Sequence, residues 1–575
     1  MCGINVIISS TNNLSSKLSN SVVELRGLLS NRGPDCQCSH EVCVPDLSWH
    51  IAAYGSTLWT QGPSPTHQPL ITDRGSFLLW NGDVYDDNSC SRTTSDSALV
   101  LQKFEEEKDP LKTLSGICGP YAFIFYDPDT RSIWFGRDPI GRCSLLIHAE
   151  KDLLVISSVA SRSLECVEVP SHGIFRVVFN VDSFELLFHP WADTMLEELP
   201  SELQAVWKNS IEHIVLNRRH NLNSNKTQPD EDDTYSRLGG SVKSTPVEML
   251  EAFCDDESIT LILAELMRIF ENSVRCRVST CPRYCQRCAV LVNTPAESCL
   301  HTKVAVLFSG GLDSTILAVL ADRVLDKTES IDLFNIAFER TNSKASQAPD
   351  RVTGYVALEE LKRIAPYRTW NFVEITVGET ELNEHIHHIA DLIHPLNSVL
   401  DESLGCALWF AARGKGLLNH VCYESPARVV LVGMGADELF GGYSRHAKVF
   451  NQTGSWSELG DMLHKEVQNI GSRNMGRDNR VILDHGRMMR APFLDETVVS
   501  FVNKLPPWVR CNPGSDLPRG VGDKTLLRLL AFTLGLRETA VQPKRALQFG
   551  SRIANSKQKG HEISTKLAEK PIKSE

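Results

Sequence analysis

The run "KVAVLFSGGLDST" (303–315) ends an apolar stretch on paired glycines and then places Asp313 and Ser314 at the head of a helical pattern. These residue types in this order make a phosphate-binding turn. Gly310 and Gly311 let backbone N–H groups approach an anion closely, and a helix beginning near Asp313 points its positive end at that anion. The turn lacks the G-K-[ST] ending of a Walker A loop, which argues against cleavage between the β- and γ-phosphates. A second turn, "GMGADE" (433–438), holds Gly435 and Asp437 and follows another apolar run. At the front of the chain, "MCGI" makes Cys2 the first residue if Met1 is removed. A free α-amine titrates near ~8, close enough to working pH to accept the thiol proton, which is the N-terminal nucleophile arrangement. Cysteine at position 2 alone assigns little.

The elements that must position these residues fall into two groups. Residues 2 to about 190 contain "INVIIS", "FLLWNGDVY", "YAFIFYD", "SIWFG" and "LLVISS", aromatic and β-branched runs separated by turn residues. They predict layered antiparallel sheets. From about 258 the pattern changes. "ITLILAELMRIF" has helical spacing, and "VAVLF", "IDLFNIAF", "FVEITV" and "VVLVGMG" are nearly pure apolar runs separated by helix-length segments. Runs apolar on both faces predict a doubly wound parallel sheet covered by helices on both sides. Ligands bind at the carboxyl ends of such strands, so both Gly-rich turns are expected to line one edge. The fold class is therefore α+β followed by α/β, with domains at 2–190 and 258–552. Residues 191–257 read as a linker with a polar, disordered insertion within 215–250. Residues 553–575 are Lys-rich and read as a frayed tail.

The whole chain sets limits on function. Its 575 residues exceed one ordinary core, and 42% are apolar. The net charge of -12 disfavours nucleic acid as a partner but leaves small anionic ligands open. No apolar run approaches the ~18 residues of a membrane span, so the protein is expected to be soluble and off the membrane. No secretory signal is visible at the start, and the 17 cysteines lack framework spacing. They read as reduced thiols, with a cytoplasmic location expected.

The loop "SGGLDS" resembles the pyrophosphate loop of the ATP pyrophosphatases, which cleave ATP to AMP and pyrophosphate. After it come "GADELFGGYSRH" (435–446), "RNMGRDNR" (473–480), "RAPFLD" (490–495), "DKTLLR" (523–528) and "QPKRALQFGSRIA" (542–554). This ordered series resembles the asparagine synthetase family over roughly 260–552. The resemblance implies ATP, Mg²⁺ and aspartate as ligands and a β-aspartyl-AMP intermediate. It implies that Ser309, Gly310, Gly311, Ser314 and Gly435 hold ATP and its pyrophosphate. Asp313 and Asp437 would hold Mg²⁺ against the phosphates, and Lys524 would offset charge on the leaving pyrophosphate. Upstream, "NRGPD" (31–35), "WNGDVYD" (80–86), "TSDSALVL" (94–101) and "FGRDPIGR" (135–142) are similar to the class II glutamine amidotransferase pattern. By that resemblance Cys2 is the nucleophile, and Asn81 (side chain) and Gly82 (backbone N–H) form the oxyanion hole. Asp83 and Asp96 hold the α-amino group of glutamine. The implied reaction is amidation of aspartate with ammonia released from glutamine, along an internal path between the sites.

Two positions depart from the family pattern. Thr57 stands where the amidotransferases carry an arginine for the glutamine carboxylate. Met434 stands where the synthetases have a glutamate that manages protons during attack on the intermediate. These departures keep open a degenerate relative that binds or regulates, and a ligase for another carboxylate. Two further stretches carry residue types that ligate metals. "CRVSTCPRYCQRC" carries Cys276, Cys281, Cys285 and Cys288, with Cys299 and His301 beyond, but only Cys285 and Cys288 have C-x₂-C spacing. A single pair falls short of the two matched pairs that structural zinc favours, so spacing alone assigns no metal. "HIHHIADLIH" (385–394) reads as a helix of solvated or core-satisfied histidines.

Overall fold

In the first 190 residues, strand side chains alternate between two buried environments, which builds a stack of layers. The computed structural model describes residues 2–10, 16–62, 64–85, 94–150, 152–181, 183–191, 222, 245–280, 284–289, 299–339, 344–514, 517–518, 520–554 and 559–568. The strands of this half are β1 (Gly3–Ser10), β2 (Cys36–Cys43), β3 (Trp49–Thr57), β4 (Leu70–Ile71), β5 (Phe77–Gly82), β6 (Tyr121–Asp127), β7 (Ser132–Arg137), β8 (Leu146–Glu150), β9 (Leu153–Ser157), β10 (Val167–Glu168), β11 (Gly173–Phe179) and β12 (Phe184–Pro190). Among the described residues they form two antiparallel sheets, ordered β10-β8-β9-β1-β3-β2 and β12-β11-β7-β6-β5-β4. Phe77, Leu79, Ile124, Tyr126 and Phe135 of the second sheet share one core with Ile4, Val6 and Ile8 of β1. Their neighbours Leu78, Trp80, Phe123, Phe125 and Trp134 point the other way, onto Val100, Phe104 and Leu111 of the helices Asp96–Glu107 and Pro110–Ser115. The helix Ser16–Arg32 covers the outer face of β1 and β3. The result is helix, sheet, sheet, helix: the layered antiparallel sheets were expected, and the two helical layers that cover them were not.

The second half is built on β13 (Val304–Leu307), β14 (Ile331–Phe338), β15 (Trp370–Val377), β16 (Lys415–Leu418), β17 (Val421–Glu424), β18 (Val429–Leu431) and β19 (Met488–Arg490). Their order is β17-β16-β15-β14-β13-β18-β19. All four apolar runs are strands, and β15-β14-β13-β18-β19 run parallel. The β16–β17 hairpin, which the sequence did not reveal, adds an antiparallel edge. The chain places β14 and β15 on one side of β13, then β18 and β19 on the other. The switch point thus lies between β13 and β18, the two strands that carry the Gly-rich turns. Among the described residues no helix is long and apolar enough to cross a membrane.

Two boundaries need correction. The linker read over 191–257 contains a helix, Pro246–Cys254, whose Leu250 and Phe253 enter the core. Thr245 and Glu248 form its capping box, and Pro246 sits in its first turn, a start signal visible in "TPVE". Most of the polar insertion lies outside the described residues. The tail read as frayed from 553 packs back in part. Leu567 is buried, Ser564 N donates to Asn397 O (2.8 Å) and Val399 N donates to Glu562 O (2.9 Å).

The two halves meet through buried arginines. Arg428 donates to both carboxylate oxygens of Asp35 (2.7 and 2.9 Å), and Arg490 to both of Asp83 (3.2 and 3.2 Å). Arg480 pairs with Glu168 (2.5 Å) and Arg142 with Glu496 (2.5 Å). Burial alone would raise the Glu496 carboxyl, but Arg142 brings it down to about 2. Removing one partner of such a pair strands a charge in a dry interface, at about 3–5 kcal/mol. Several motifs that look catalytic in the sequence therefore also fasten the domains together.

Candidate active sites

The first site forms where β1 begins beside the end of β5. Cys2 N donates to Asn81 Oδ1 (2.8 Å), and Gln68 Nε2 donates to Cys2 Sγ (3.4 Å). Gln68 is itself held by β5, because Trp80 N donates to its Oε1 (2.7 Å) and its Nε2 donates to Trp80 O (3.0 Å). Among the described residues Asn81 Nδ2 is buried without a protein partner, although Asn81 does not itself line the pocket beside Cys2. An unsatisfied donor of this kind carries a desolvation cost until an acceptor arrives, which suits an oxyanion hole. Gly82 lines the pocket together with Cys2, Thr57, Trp59, Gln68 and Asp96. Ser95 caps the helix Asp96–Glu107, which fixes Asp96 in its first turn, and Val84 N donates to Asp96 Oδ2 (2.6 Å).

Asp83 does not fit its expected role. It is fully buried and does not line the pocket. Arg490, Gln61 (Nε2, 3.1 Å) and Tyr85 (OH, 2.9 Å) engage its carboxylate. Burial would raise this carboxyl, and Arg490 with the Tyr85 hydroxyl more than offsets that, so it stays ionised. Asp83 is an interface anchor because the partner it found lies on β19, in the other domain. The cavity at Cys2 measures about 40 Å³. Thr57 Oγ1 donates to Thr66 O (2.9 Å), and none of the described residues lining the cavity is cationic.

The second site lies at the switch point, in a cavity of about 510 Å³. That is the size of a small-molecule pocket. Ser309, Gly311, Asp313 and Ser314 line it from the β13 side, and Met434, Gly435, Asp437 and Glu438 from the β18 side. Gly311 N donates to Ser309 Oγ (3.2 Å), and Ser314 Oγ donates to Gly311 O (3.1 Å). Gly310 departs from its expected role in binding. It does not line the cavity, and a Cβ there would collide with the backbone of Gly354. With φ 74°, it serves the close approach of the turn to the helix Pro349–Ile364.

Lys524 ties the two turns together. Its Nζ lies 2.7 and 2.6 Å from the Asp313 oxygens and 2.7 Å from Asp437 Oδ1. Lys544 Nζ donates to Asp437 Oδ2 (2.7 Å) and sits 4.2 Å from the Tyr443 ring centroid. Burial would raise Asp437, but two ammonium groups hold it well below the ordinary carboxylate range. Asp313 is raised by burial, with Lys524 pulling it down and Asp437 repelling it. Burial would lower Lys524, and the two carboxylates raise it instead. Lys524 sits at φ 55°, a left-handed conformation that costs a non-glycine residue about 1–2 kcal/mol. Oxygens of both carboxylates thus converge on the Lys524 ammonium, so Mg²⁺ would share these carboxylates with the lysine. That donor set fits Mg²⁺ shared with phosphate oxygens, as such sites use one or two carboxylates.

The sequence reading missed several contributors. A Cβ on Gly442 would collide with Asp437 Oδ1 and Lys524 Cε, so "GGY" admits the lysine. Lys544 belongs to the "QPKRALQFG" stretch. Asp350 also lines the cavity, with Oδ2 buried and without a partner among the described residues; burial pushes its carboxyl up to about 7 against the pull of Arg545. Its only sequence signal was a carboxylate after "AP" at a helix start. The histidine-rich run is the helix Glu379–Ile393, and His388 there pairs with Asp484 (2.6 Å).

With both sites placed, known proteins can be set beside them. Residues 1–170 match the glutamine amidotransferase domain family, and residues 300–455 and 448–559 match asparagine synthase. An asparagine synthetase domain-containing protein of Drosophila melanogaster is 36% identical, over 99% of this chain and 100% of its own length. The chain belongs to the asparagine synthetase domain-containing proteins. The mouse asparagine synthetase domain-containing protein 1 is 35% identical, over 98% of this chain and 99% of its own length. A putative glutamine-hydrolysing asparagine synthetase of Methanocaldococcus jannaschii is 25% identical, over 96% and 94%. The family thus joins a glutamine amidotransferase domain to an asparagine synthase domain, in agreement with the two sheet systems of the fold. No relative's name assigns a role to any single residue.

Proposed function

We propose that the chain is a glutamine-dependent asparagine synthetase that activates aspartate with ATP in the large cavity. The observation that carries this reading is Lys524, held within 2.7 Å of both Asp313 and Asp437 at the switch point. The β-carboxylate of aspartate would attack the α-phosphorus of ATP. A phosphorus–oxygen bond to the carboxylate forms, the bond from the α-phosphorus to the bridging oxygen breaks, and pyrophosphate leaves. Ser309, the Gly311 amide and the N-terminus of the helix Leu312–Val324 would hold that pyrophosphate. Lys524 would meet its growing charge. Mg²⁺, held by Asp313 and Asp437, would neutralise phosphate charge. Ammonia then attacks the acyl carbon, AMP departs, and the nitrogen sheds a proton. Cys2, with its own amine as base and Asn81 Nδ2 as oxyanion donor, would release that ammonia from glutamine. Asp96 would hold the α-amino group of glutamine, while Asp83 would not.

Met434 bears on the last step. It lines the cavity and offers a thioether where a carboxylate would take the proton. General base catalysis contributes ~10²–10⁴-fold. Met434→Glu should therefore raise ammonia-dependent asparagine formation by at least about tenfold, allowing for imperfect placement. Mass-spectrometric measurement of asparagine from aspartate, ATP and ammonium checks it. A wild type as fast as the mutant would remove the handicap assigned to Met434. Met434 and Thr57, a thioether and a hydroxyl where the family pattern carries a glutamate and an arginine, favour a second reading, a relative that binds its ligands with little turnover. Under that reading both proteins make no asparagine.

A further inference from the structure

Beyond both active sites, the segment just before β13 brings together four ligands that are spread along the sequence. Cys285, Cys288, Cys299 and His301 each present one ligand atom, and all four atoms lie within 4.8 Å of one another. Cys285 Sγ is 3.6 Å from His301 Nδ1, and Cys288 Sγ is 3.4 Å from the same nitrogen. A tetrahedral zinc with bonds of about 2.3 Å to sulfur and about 2.0–2.1 Å to nitrogen sets those two ligand types about 3.5 Å apart. The spacing is C-x₂-C, ten intervening residues, then C-x-H.

We propose that Cys285, Cys288, Cys299 and His301 form a structural zinc site. Spacing alone shows a single C-x₂-C pair, Cys285 and Cys288. The fold supplies the second pair as Cys299 and His301. Three thiolates and an imidazole select zinc over the hard cations Mg²⁺ and Ca²⁺. Backbone amides support the sulfurs, as outer-shell donors do at metal sites. Cys285 N donates to Cys299 Sγ (3.1 Å) and Cys288 N donates to Cys285 Sγ (3.4 Å). Four protein ligands leave no position for substrate, so the metal staples and does not catalyse.

What it staples is visible in the flanking contacts. His301 is two residues from Lys303, whose carbonyl accepts from Arg428 N (3.0 Å), and Arg428 is the arginine that grips Asp35. Tyr284, one residue before Cys285, lies against Trp59 at 5.8 Å between ring centroids. Trp59 lines the Cys2 pocket. Gln286 N donates to Pro426 O (2.9 Å) and Gln286 Nε2 to His485 O (2.9 Å). The zinc would hold this knuckle between the synthetase sheet and the wall of the glutaminase pocket.

A smaller group, Cys36, Cys38 and His67, offers three ligands only and provides the internal control. The full chain, incubated with zinc and exchanged into metal-free buffer, should carry one zinc per chain by plasma mass spectrometry. Cys285→Ser/Cys288→Ser should lose it, and Cys36→Ser/Cys38→Ser should keep it. Because the first variant can fail to fold, wild-type chain is also loaded with cobalt(II). Intense visible bands of tetrahedral thiolate-bound cobalt are expected. Wild type without zinc, zinc retained by the first variant or lost by the second, or a weak octahedral cobalt spectrum would each overturn the proposal.

Discussion

Lys524→Met is expected to lower ATP–pyrophosphate exchange by about 10²–10³-fold, the usual loss when one preorganised group facing transition-state charge is removed. The lysine is 1% exposed and bonds to carboxylates from two different turns. No other described ammonium reaches Asp313 within ion-pair distance, because Lys544 pairs with Asp437 alone. In the variant, two close carboxylates would share a proton, since like charges in one site push one pKa up. Arginine should not rescue the loss, because Gly442 already packs against the lysine stem. Exchange kinetics, read beside a thermal melt, separate a lost contact from a lost fold. A folded variant with wild-type exchange would remove Lys524 from the reaction.

Cys2→Ala is expected to reduce glutamine hydrolysis to background while ammonia-dependent synthesis stays unchanged. The thiol is the only sulfur nucleophile among the described residues lining the first pocket, and the backbone N–H of Cys2 already donates to Asn81. Asn81→Ala should give a graded loss of about 10²–10³-fold, because Gly82 N–H would remain as the second donor. Thr57 offers no cation to the carboxylate of glutamine, so a high KM for glutamine is expected as well. Intact mass should find Met1 absent from active protein. Hydrolysis that survives in Cys2→Ala, or a retained Met1 with hydrolysis present, would sink this assignment.

The sequence made the sheets legible because strand periodicity and Gly-rich turns are local signals. "VAVLF" and "VVLVGMG" led directly to the paired turns at the switch point, and "MCGI" with "NGD" led to Cys2 beside Asn81. What stayed hidden depends on partners far away in the chain. Asp83 and Arg490 are 407 positions apart, and nothing near "NGD" says that an interface arginine will claim its aspartate. Gly310 reads as a phosphate glycine, but its contact is Gly354. The Cys3His cluster was named in the sequence but left unassigned for the same reason, because ten residues separate its two pairs. The helix Pro246–Cys254 is different: its capping box was present in the sequence and was outweighed by the polar composition around it.

The central claim is that the 510 Å³ cavity activates aspartate with ATP. The most direct measurement is exchange of labelled pyrophosphate into ATP by the wild-type chain, with aspartate and without it, at saturating Mg²⁺. The account predicts exchange that requires aspartate and disappears in Lys524→Met. Exchange only with a different carboxylic acid, or none with any acid in a protein that still binds ATP, would contradict it.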